Sequence, residues 1–274
     1  MSKSLSPTRA LFERLFDDAA MFPPGNASAA DALKQHRAHR AAAYADLVGP
    51  LLVHVDRWGE FARAHRQAGS PEVDVVIIGS ATAEPAEAGG IRVVGYEVAA
   101  PIRSVEADAE RSLAVELERR ADVELDFAEL ARLRHSGAPV IAKYRTGGTT
   151  PDSFPSQDQV SAVICSAVRH RVPLKFTAGL HHALRHTDNT TEFEHHGFIN
   201  IAVAIRAAQR GAGIAEASTI LGGREPRPLV DEVVAWSAQE NAAVRSIFTS
   251  IGCCGVTDPI RDAAALGLLP REIA

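Results

Sequence analysis

The strongest constraint on the fold of this chain is a repeated alternation of short apolar stretches with longer amphipathic ones. Eight candidate strands, rich in β-branched residues, lie at residues 19–22, 51–55, 73–79, 91–98, 123–127, 139–145, 173–178 and 248–254. Short, continuously apolar strands that alternate with helices are typical of a parallel sheet covered on both faces. The pattern therefore indicates an α/β protein.

Amphipathic segments separate the candidate strands. Apolar residues recur at helical spacing in residues 28–47, 56–69, 104–121, 126–137 and 156–171. Ser28 begins the first of these segments and is the expected N-cap. The stretch 183–246 is too long for one helix. We expect it to hold an excursion at the active site (186–197), one helix (198–210) and then a pair of helices before the last strand.

Eight strand–helix units in 274 residues predict a (β/α)8 TIM-type barrel that forms a single domain over residues 1–274. The alternative is a doubly wound open sheet. That fold would be favoured by a glycine-rich nucleotide-binding sequence after the first strand, and FPPGNAS at 22–28 is not one.

Charge and composition narrow the range of partners. The net charge is −5, and the arginines are scattered among acidic residues, so we expect no nucleic-acid partner. No apolar run approaches the roughly 20 residues of a membrane span, so we expect no membrane partner. The N-terminal residues do not resemble a secretory signal, and the three cysteines are an odd number, which favours a cytoplasmic protein. The sequence leaves the oligomeric state open, and a homo-oligomer is compatible with it.

Lysine is rare in this chain, and two of its lysines occupy similar settings. Of the 29 basic residues only four are lysine, and Lys143 and Lys175 each precede an aromatic residue near the end of a candidate strand. The sequences KYRTG and KFTAG share the pattern lysine, aromatic, two further residues, glycine. Because side chains alternate along a strand, both lysines are expected to point into the barrel at the carboxyl-terminal ends of the strands, where barrel enzymes build their sites.

The proposed role of these lysines depends on their ionisation. Burial and a neighbouring cation lower the pKa of an amine, so that Lys175 or Lys143 could act as a base or form a Schiff base. A nearby carboxylate has the opposite effect and would leave Lys175 as a charged clamp for an anion. The structural alternative is a lysine whose ammonium group reaches solvent or pairs with a carboxylate.

Two glutamates near strand ends are the expected partners of the lysines. Glu97 ends an apolar strand, and Glu124 lies in the candidate strand 123–127. Buried carboxylates need partners, so Glu97 and Glu124 are predicted to meet Lys143 and Lys175 in one cavity, as acid/base and positioning groups. The alternative is a buried ion-pair network with a structural role.

Several further residues are candidates for binding the substrate. Arg145, Gly147 and Gly148 follow the sixth strand, where a guanidinium and exposed backbone N–H groups can hold a carboxylate or phosphate. The alternative there is a plain glycine turn. His182, Asn200 and Cys254 are further candidates near the mouth, and a small buried core residue is the alternative for Cys254. Asp17 and Asp18 are expected to cap or bracket the first strand.

The histidines after the seventh strand allow two interpretations. His181 is predicted to act as an acid/base or hydrogen-bond donor, with no metal and no cofactor. Binding of a divalent metal is the alternative, because further histidines and carboxylates follow His181 and His182 in the sequence. The spacing matches no metal-binding motif, and HHALRH lacks the glutamate of the zinc-protease helix.

The motifs FDDAAMFPP, AKYRTGG, LKFTAGLHH, HGFIN and SIGCCGVTDPIRDAAALGLL together resemble a family of uncharacterised bacterial proteins, over most of the chain. That resemblance implies no activity. The lysine followed by a small-residue turn is also similar to the Schiff-base strand of deoxyribose-phosphate-type aldolases. This local similarity implies an imine-forming Lys175 and a tuning Lys143, and the two histidines after the turn depart from the aldolase pattern.

These observations predict an enzyme that acts on a small anionic carbonyl compound by lysine-centred acid/base or Schiff-base chemistry, of the lyase, aldolase or isomerase type. One alternative is a metal-dependent isomerase or hydrolase that uses Glu97, Glu124 and His181 or His182. A second alternative is a barrel that binds a small molecule without catalysis.

Overall fold

The computed structural model describes residues 7–79, 89–102, 111–119 and 123–273. Its strands are β1 Phe16–Asp18, β2 Val48–His54, β3 Val73–Ile78, β4 Ile91–Val98, β5 Ser112–Glu116, β6 Val140–Arg145, β7 Leu174–Thr177, β8 His186–Thr187, β9 Glu194–His195 and β10 Phe248–Cys253. Strands β1 to β7 follow one another around a closed barrel, and β10 completes the ring between β7 and β1. All eight neighbouring pairs are parallel. The predicted (β/α)8 TIM-type barrel is confirmed.

The helices in the described residues are α1 Pro7–Phe12, α2 Ala29–Ala41, α3 Trp58–Gln67, α4 Glu124–His135, α5 Gln157–His170, α6 Phe198–Gln209, α7 Ile214–Gly222, α8 Pro226–Val234, α9 Ala238–Ile247 and α10 Thr257–Ala265. Between β7 and β10 lie the short antiparallel ribbon β8–β9 and then four helices. The prediction of one helix followed by a pair is corrected to one helix followed by three. Pro226 and Ser237 divide the segment, because proline starts α8 and serine caps α9.

Serine side chains fix the beginnings of several helices. The Ser28 hydroxyl accepts a hydrogen bond from the backbone N–H of Asp31 at 3.1 Å, which confirms the predicted N-cap of α2. Ser156 and Ser237 form complete capping boxes with Gln159 and Glu240. These local signals end the preceding loops at defined residues, and so they help to set where each helix packs on the barrel.

Two of the eight predicted strands are wrong. The first strand is 16–18 rather than 19–22, and the fifth is 112–116 rather than 123–127. Residues 112–116 lie inside a segment that we expected to be helical, whose residues 104–110 and 120–121 fall outside the described part of the chain. The sequence SLAVE contains strong helix formers, but its pairing between β4 and β6 overrides that local preference.

Alternation along the strands separates two environments. Tyr144 and Phe176, which follow the two lysines, are buried in the large apolar core that also contains residues of the surrounding helices. A smaller apolar cluster of Ala19, Leu52 and Val76 stands apart from that core. Buried charged side chains lie on β1, β4, β6 and β7, namely Asp17, Glu97, Lys143 and Lys175, and they place the candidate site.

Candidate active site

A continuous row of side chains with alternating charge crosses the interior of the barrel. We call it the ion-pair row, and in order it consists of Asp17, Lys175, Glu97, Lys143, Glu116 and Arg145. The strand register explains the arrangement. Lys143 is the Cα partner of both Lys175 and Glu116, so the three side chains project inward at one level. The predicted equivalence of the two lysines on neighbouring strands is confirmed.

Lys175 lies at the deep end of the row, between two carboxylates. Its Nζ is 2.6 Å from Asp17 Oδ2 and makes a very close contact with Glu97 Oε1. The hydroxyl of Ser250 donates to the same Asp17 oxygen at 2.7 Å. The side chains of Lys175, Asp17 and Glu97 are all at most 6% exposed. The deep end is therefore enclosed and fully paired.

Lys143 occupies the middle of the row and links it to the surface. Its Nζ is 2.9 Å from Glu97 Oε2 and 2.9 Å from Glu116 Oε2. Glu116 also accepts a contact from Arg145 Nε at 3.3 Å. Exposure of the side chain rises along this path, from 5% for Lys143 to 21% for Glu116 and 45% for Arg145. Glu116 and Arg145 are the last residues of β5 and β6, so the row reaches the carboxyl-terminal end of the barrel.

The charges in the row shift the pKa values of its members in different directions. Burial alone would raise the pKa of Glu97, but the ammonium groups of Lys175 and Lys143 outweigh it and hold the pKa at about 2. Burial raises the pKa of Asp17, and Lys175 only partly offsets that effect. Burial also opposes ionisation of Glu116, yet Lys143 and Arg145 lower its pKa.

The pKa of Lys175 moves in the direction opposite to that required of a free amine. Burial lowers it, but Asp17 and Glu97 outweigh burial and raise it above its ordinary value. Lys175 is therefore protonated at neutral pH. Of the two effects expected on its pKa, that of the carboxylates outweighs that of burial and Lys143, because Lys175 contacts two carboxylates and Lys143 contacts the far side of one of them.

A cavity of about 430 Å³ opens beside the outer end of the row. It is lined by residues 99–101, residues 116–119 and Arg145, at the carboxyl-terminal ends of β4, β5 and β6. Arg119, which lines this cavity, donates hydrogen bonds to the carbonyl of Ser153 at 2.6 Å and to the carbonyl of Asp152. The loop after β6 is thereby tied to the cavity rim, and Glu116 separates the cavity from Lys143.

The glycine loop after β6 packs tightly against the turn after β7. A β-carbon on residue 147 would lie 3.0 Å from the Cα of Gly179, so Gly147 permits a close approach of the two backbones. Thr146 fixes the same junction by donating through Oγ1 to the carbonyl of Ala178 at 2.6 Å. Gly148 lies next to Ser153 on the exposed side of the loop. Of the predicted anion-binding residues, only Arg145 lines the cavity.

Glu124 does not join the row. It is the first residue of α4 rather than part of a strand, and its carboxylate contacts His170 at 2.6 Å, Ser166 at 2.9 Å and Arg169 at 3.1 Å on helix α5. The prediction that Glu124 meets Glu97, Lys143 and Lys175 is wrong. The segment 123–127 is apolar enough for a strand, but its acidic residues stabilise a helix start.

The predicted residues after β7 occupy a different part of the barrel mouth. His181 contacts Cys253, Cys254 and Asp258. His182 contacts Asp262 at 3.0 Å and lines a groove of about 730 Å³ beside the β8–β9 ribbon. None of the contacts described for these two histidines reaches the ion-pair row.

Asn200 is a structural tie rather than a free group at the mouth. Its Nδ2 donates to the carbonyls of Ile220 and Gly223 at 2.9 and 2.7 Å, and its Oδ1 accepts from the backbone N–H of Arg185 at 3.0 Å. These three bonds join the segment before α6 to the end of α7. The predicted substrate-binding role for Asn200 is therefore not supported by its contacts.

Three residues of the site escaped the sequence analysis. The sequence predicts only that Asp17 caps or brackets a strand, Glu116 lies in a segment predicted to be helical, and Ser250 belongs to no motif that marks a site. A signal exists for Glu116, because Ser112, Ala114 and Glu116 alternate with the apolar Leu113 and Val115. No comparable signal points to Asp17, since aspartate is uncommon inside strands.

The fold and the row define a TIM-type barrel with a buried lysine–carboxylate site at the carboxyl-terminal ends of its strands. No protein-family model matches the chain, and no curated protein matches it. Among the described residues, no group of three or more histidine, cysteine, aspartate or glutamate side chains is arranged to hold a metal ion. No helix in the same part of the chain is long and apolar enough to cross a membrane.

Proposed function

We propose that the protein is an enzyme that acts on a small anionic carbonyl compound through imine or acid/base chemistry at Lys143. The lyase, aldolase and isomerase types all use such chemistry. The observation that carries the proposal is the pairing of Lys143 with Glu116, since Glu116 also lines the cavity at the carboxyl-terminal end of the barrel. Active sites of this fold lie at that end.

The two lysines differ in a way that favours Lys143 as the reactive amine. Lys175 is held on both sides by enclosed carboxylates, and its raised pKa keeps it charged. Lys143 shares Glu97 with Lys175, but its second partner, Glu116, is partly exposed and lies on the cavity wall. Glu116 is therefore the partly exposed group between Lys143 and the cavity. The carboxylates that contact Lys175 in the described part of the chain are both enclosed.

The row supplies what imine formation needs. The amine must lose a proton before it attacks a carbonyl carbon, and Glu116 is ionised and 2.9 Å from Lys143 Nζ. Attack forms the C–N bond and a carbinolamine, and loss of water then gives an iminium ion. Glu116 can accept the first proton and return it to the departing oxygen. The iminium keeps one positive charge between Glu97 and Glu116, so the charge balance of the row is preserved.

Arg145 supports an anionic substrate. Only its Nε contacts Glu116, at 3.3 Å, and its side chain is 45% exposed at the cavity wall. A guanidinium offers two parallel N–H donors to a carboxylate or phosphate. Because Arg145 and Glu116 line the same cavity, an anion held by Arg145 is expected to lie close to Glu116, the partner of Lys143.

Borohydride trapping tests the assignment of the imine to a residue. The purified protein is incubated with acetaldehyde, glyoxylate or pyruvate, reduced with borohydride, digested and analysed by mass spectrometry. We expect a reduced adduct at Lys143, and its loss in Lys143→Arg, because arginine keeps the positive charge but forms no imine. Lys34→Arg, at an exposed position of α2, is the matched control. An adduct at Lys175 alone, or equal trapping in Lys143→Arg, would overturn the assignment.

Two isosteric variants test Glu116. Glu116→Gln removes the proton acceptor beside Lys143, and we expect trapping to slow by about 10²-fold or more. Glu124→Gln is the same substitution on helix α4 and should leave the trapping rate unchanged. Trapping repeated with a metal chelator distinguishes the metal-dependent alternative, because an imine route is insensitive to chelation. Loss of trapping on chelation, restored by added metal, would contradict the proposal.

A further inference from the structure

A second cluster of reactive side chains lies at the end of β10, apart from the ion-pair row. The imidazole of His181 is central to it. Its Nε2 is 3.5 Å from Cys254 Sγ, and its Nδ1 is 3.4 Å from Cys253 Sγ and 3.5 Å from Asp258 Oδ2. We call these four residues the thiol–imidazole cluster. Cysteine, histidine and aspartate in this order form the arrangement of a base-activated nucleophile.

The contacts of Cys253 determine which ring nitrogen of His181 carries the proton. The Cys253 thiol donates to the carbonyl of Gly255 at 3.2 Å, so towards His181 its sulfur can only accept. The Asp258 carboxylate also only accepts. Both therefore favour a proton on Nδ1, and the lone pair of Nε2 then faces the thiol of Cys254. Cys253 and Asp258 are positioning residues for this tautomer.

The ionisation states of Cys254 and His181 suit a proton transfer from the thiol to the imidazole as the sulfur attacks. Burial raises the pKa of the Cys254 thiol, which is neutral at pH 7. Burial lowers the pKa of His181, although Asp258 opposes that effect, and the nearby His182 and His195 lower it further. His181 is therefore an unprotonated base next to a protonated thiol. The side chain of His181 is 25% exposed, and Cys254 is also partly exposed, so both residues are partly accessible to solvent.

We propose that Cys254 is a nucleophilic thiol that His181 deprotonates during attack, and that it adds to α,β-unsaturated carbonyl compounds. In this step the S–C bond forms at the β-carbon and the C=C π electrons move to the α-carbon. His181 Nε2 takes the thiol proton and then delivers it to the α-carbon. The addition needs no oxidant, reductant or other co-reactant. A soft thiol is suited to this conjugate addition, in contrast to the lysine chemistry proposed for the row.

The chain carries its own control for this reactivity. Cys165 on α5 is also partly exposed, and burial raises the pKa of its thiol as well. Its sulfur contacts the carbonyl of Ala212 at 4.0 Å. Cys165 therefore matches Cys254 in exposure and in the direction of its pKa, and differs in lacking the contact with His181 that Cys254 has.

The test measures the rate at which N-ethylmaleimide, an α,β-unsaturated dicarbonyl, labels each cysteine, by quenching, digestion and mass spectrometry. At pH 7 we expect Cys254 to react at least about tenfold faster than Cys165. His181→Gln should remove that advantage without changing the rate at Cys165. His135→Gln, at an exposed residue of α4 that contacts the carbonyl of Ala131, is the matched control.

A pH profile separates base assistance from simple thiolate reactivity. In the wild type the rate at Cys254 should be nearly level between about pH 7 and 8, because His181 is already unprotonated. In His181→Gln it should rise about tenfold per pH unit, because only the thiolate reacts. Equal rates at Cys254 and Cys165, or parallel pH profiles in wild type and variant, would overturn the proposal. Lys143→Arg should keep the fast labelling, so this test fails or succeeds independently of the proposed function.

Discussion

The carboxylate of Asp17 occupies the space that a side chain on residue 49 would need. A β-carbon built on Gly49 would lie 2.0 Å from Asp17 Oδ1, well inside van der Waals contact. Asp17 cannot move away freely, because its other oxygen binds both Lys175 and Ser250. The absence of a side chain at position 49 of β2 therefore helps the barrel to hold the deep end of the ion-pair row.

Gly49→Ala is expected to destabilise the protein by about 1–3 kcal/mol through overpacking against Asp17. Gly59→Ala is the control, because a β-carbon on that helical residue meets nothing within 4 Å and alanine favours a helix. Urea unfolding at pH 7 compares the two variants. If Gly49→Ala is as stable as Gly59→Ala, the packing of Asp17 against residue 49 is not tight.

Removing the cation at the deep end should be among the most damaging single changes in the barrel. Lys175→Met leaves Asp17 and Glu97 as neighbouring buried carboxylates, and we expect a loss of about 3–5 kcal/mol of unfolding free energy at pH 7. Lys34→Met, at an exposed position of α2, should change stability by no more than about 0.5 kcal/mol. Denaturant unfolding followed by circular dichroism measures both. A loss for Lys175→Met no larger than the control would show that the row is not enclosed.

Stability is expected to fall as the pH drops from about 6.5 to 4, and buried His196 is one named cause. Its Nε2 donates to the carbonyl of Pro155 at 2.8 Å, while Nδ1 is buried and has no hydrogen-bond partner among the residues that the structure describes. Burial lowers the pKa of His196 to about 4, so in this window the unfolded chain binds a proton that the folded chain does not. The contribution amounts to about 3 kcal/mol at most.

His196→Gln removes that titration and retains a donor for Pro155. We expect it to lose less stability than the wild type between pH 6.5 and 4, as measured by urea unfolding at several pH values. Below that window Glu97 adds a loss of the same sign in both proteins, because its folded pKa of about 2 lies below its ordinary value. Parallel stability curves for variant and wild type between pH 6.5 and 4 would rule out His196 as a cause.

Asn200→Ala should affect stability and not substrate trapping. The change breaks three hydrogen bonds and leaves the carbonyls of Ile220 and Gly223 without their side-chain donor, at an expected cost of about 2–4 kcal/mol. Asn189→Ala, at an exposed residue of the neighbouring loop, is the control. Thermal unfolding and the borohydride adduct yield are measured together. A stable Asn200→Ala protein with weakened trapping would restore the substrate-binding role predicted from the sequence.

The sequence predicted the barrel well because the β-branched runs of six strands are long and apolar. It failed at β1 and β5, which are short and contain almost no β-branched residues. Asp17 in β1 and Glu116 in β5 are charged residues that lower the apparent strand propensity, and they are tolerated there only because Lys175 and Lys143 neutralise them. That compensation comes from strands far away in sequence, so no local pattern reports it.

The sequence likewise predicted only part of the candidate site. The repeated lysine–aromatic pattern correctly placed Lys143 and Lys175 at one level on neighbouring strands. The position of Glu97 at the end of an apolar strand correctly placed it next to them. Glu124 was misplaced because apolar residues around a carboxylate occur both at strand ends and at helix starts. The ionisation of Lys175 depends on how many carboxylates touch it, and only the packed barrel fixes that number.

The ion-pair row constrains which substitutions this protein can accept during evolution. Asp17, Glu97 and Glu116 carry three formal negative charges, and Lys175, Lys143 and Arg145 carry three positive ones, so the row is neutral as a whole. Loss of one charge leaves the row with a net charge, whereas loss of two oppositely charged neighbours keeps it neutral. Homologues of this protein are therefore expected to keep all six residues or to exchange them as adjacent pairs. An alignment of its relatives would show this as correlated substitution at positions that are distant in sequence.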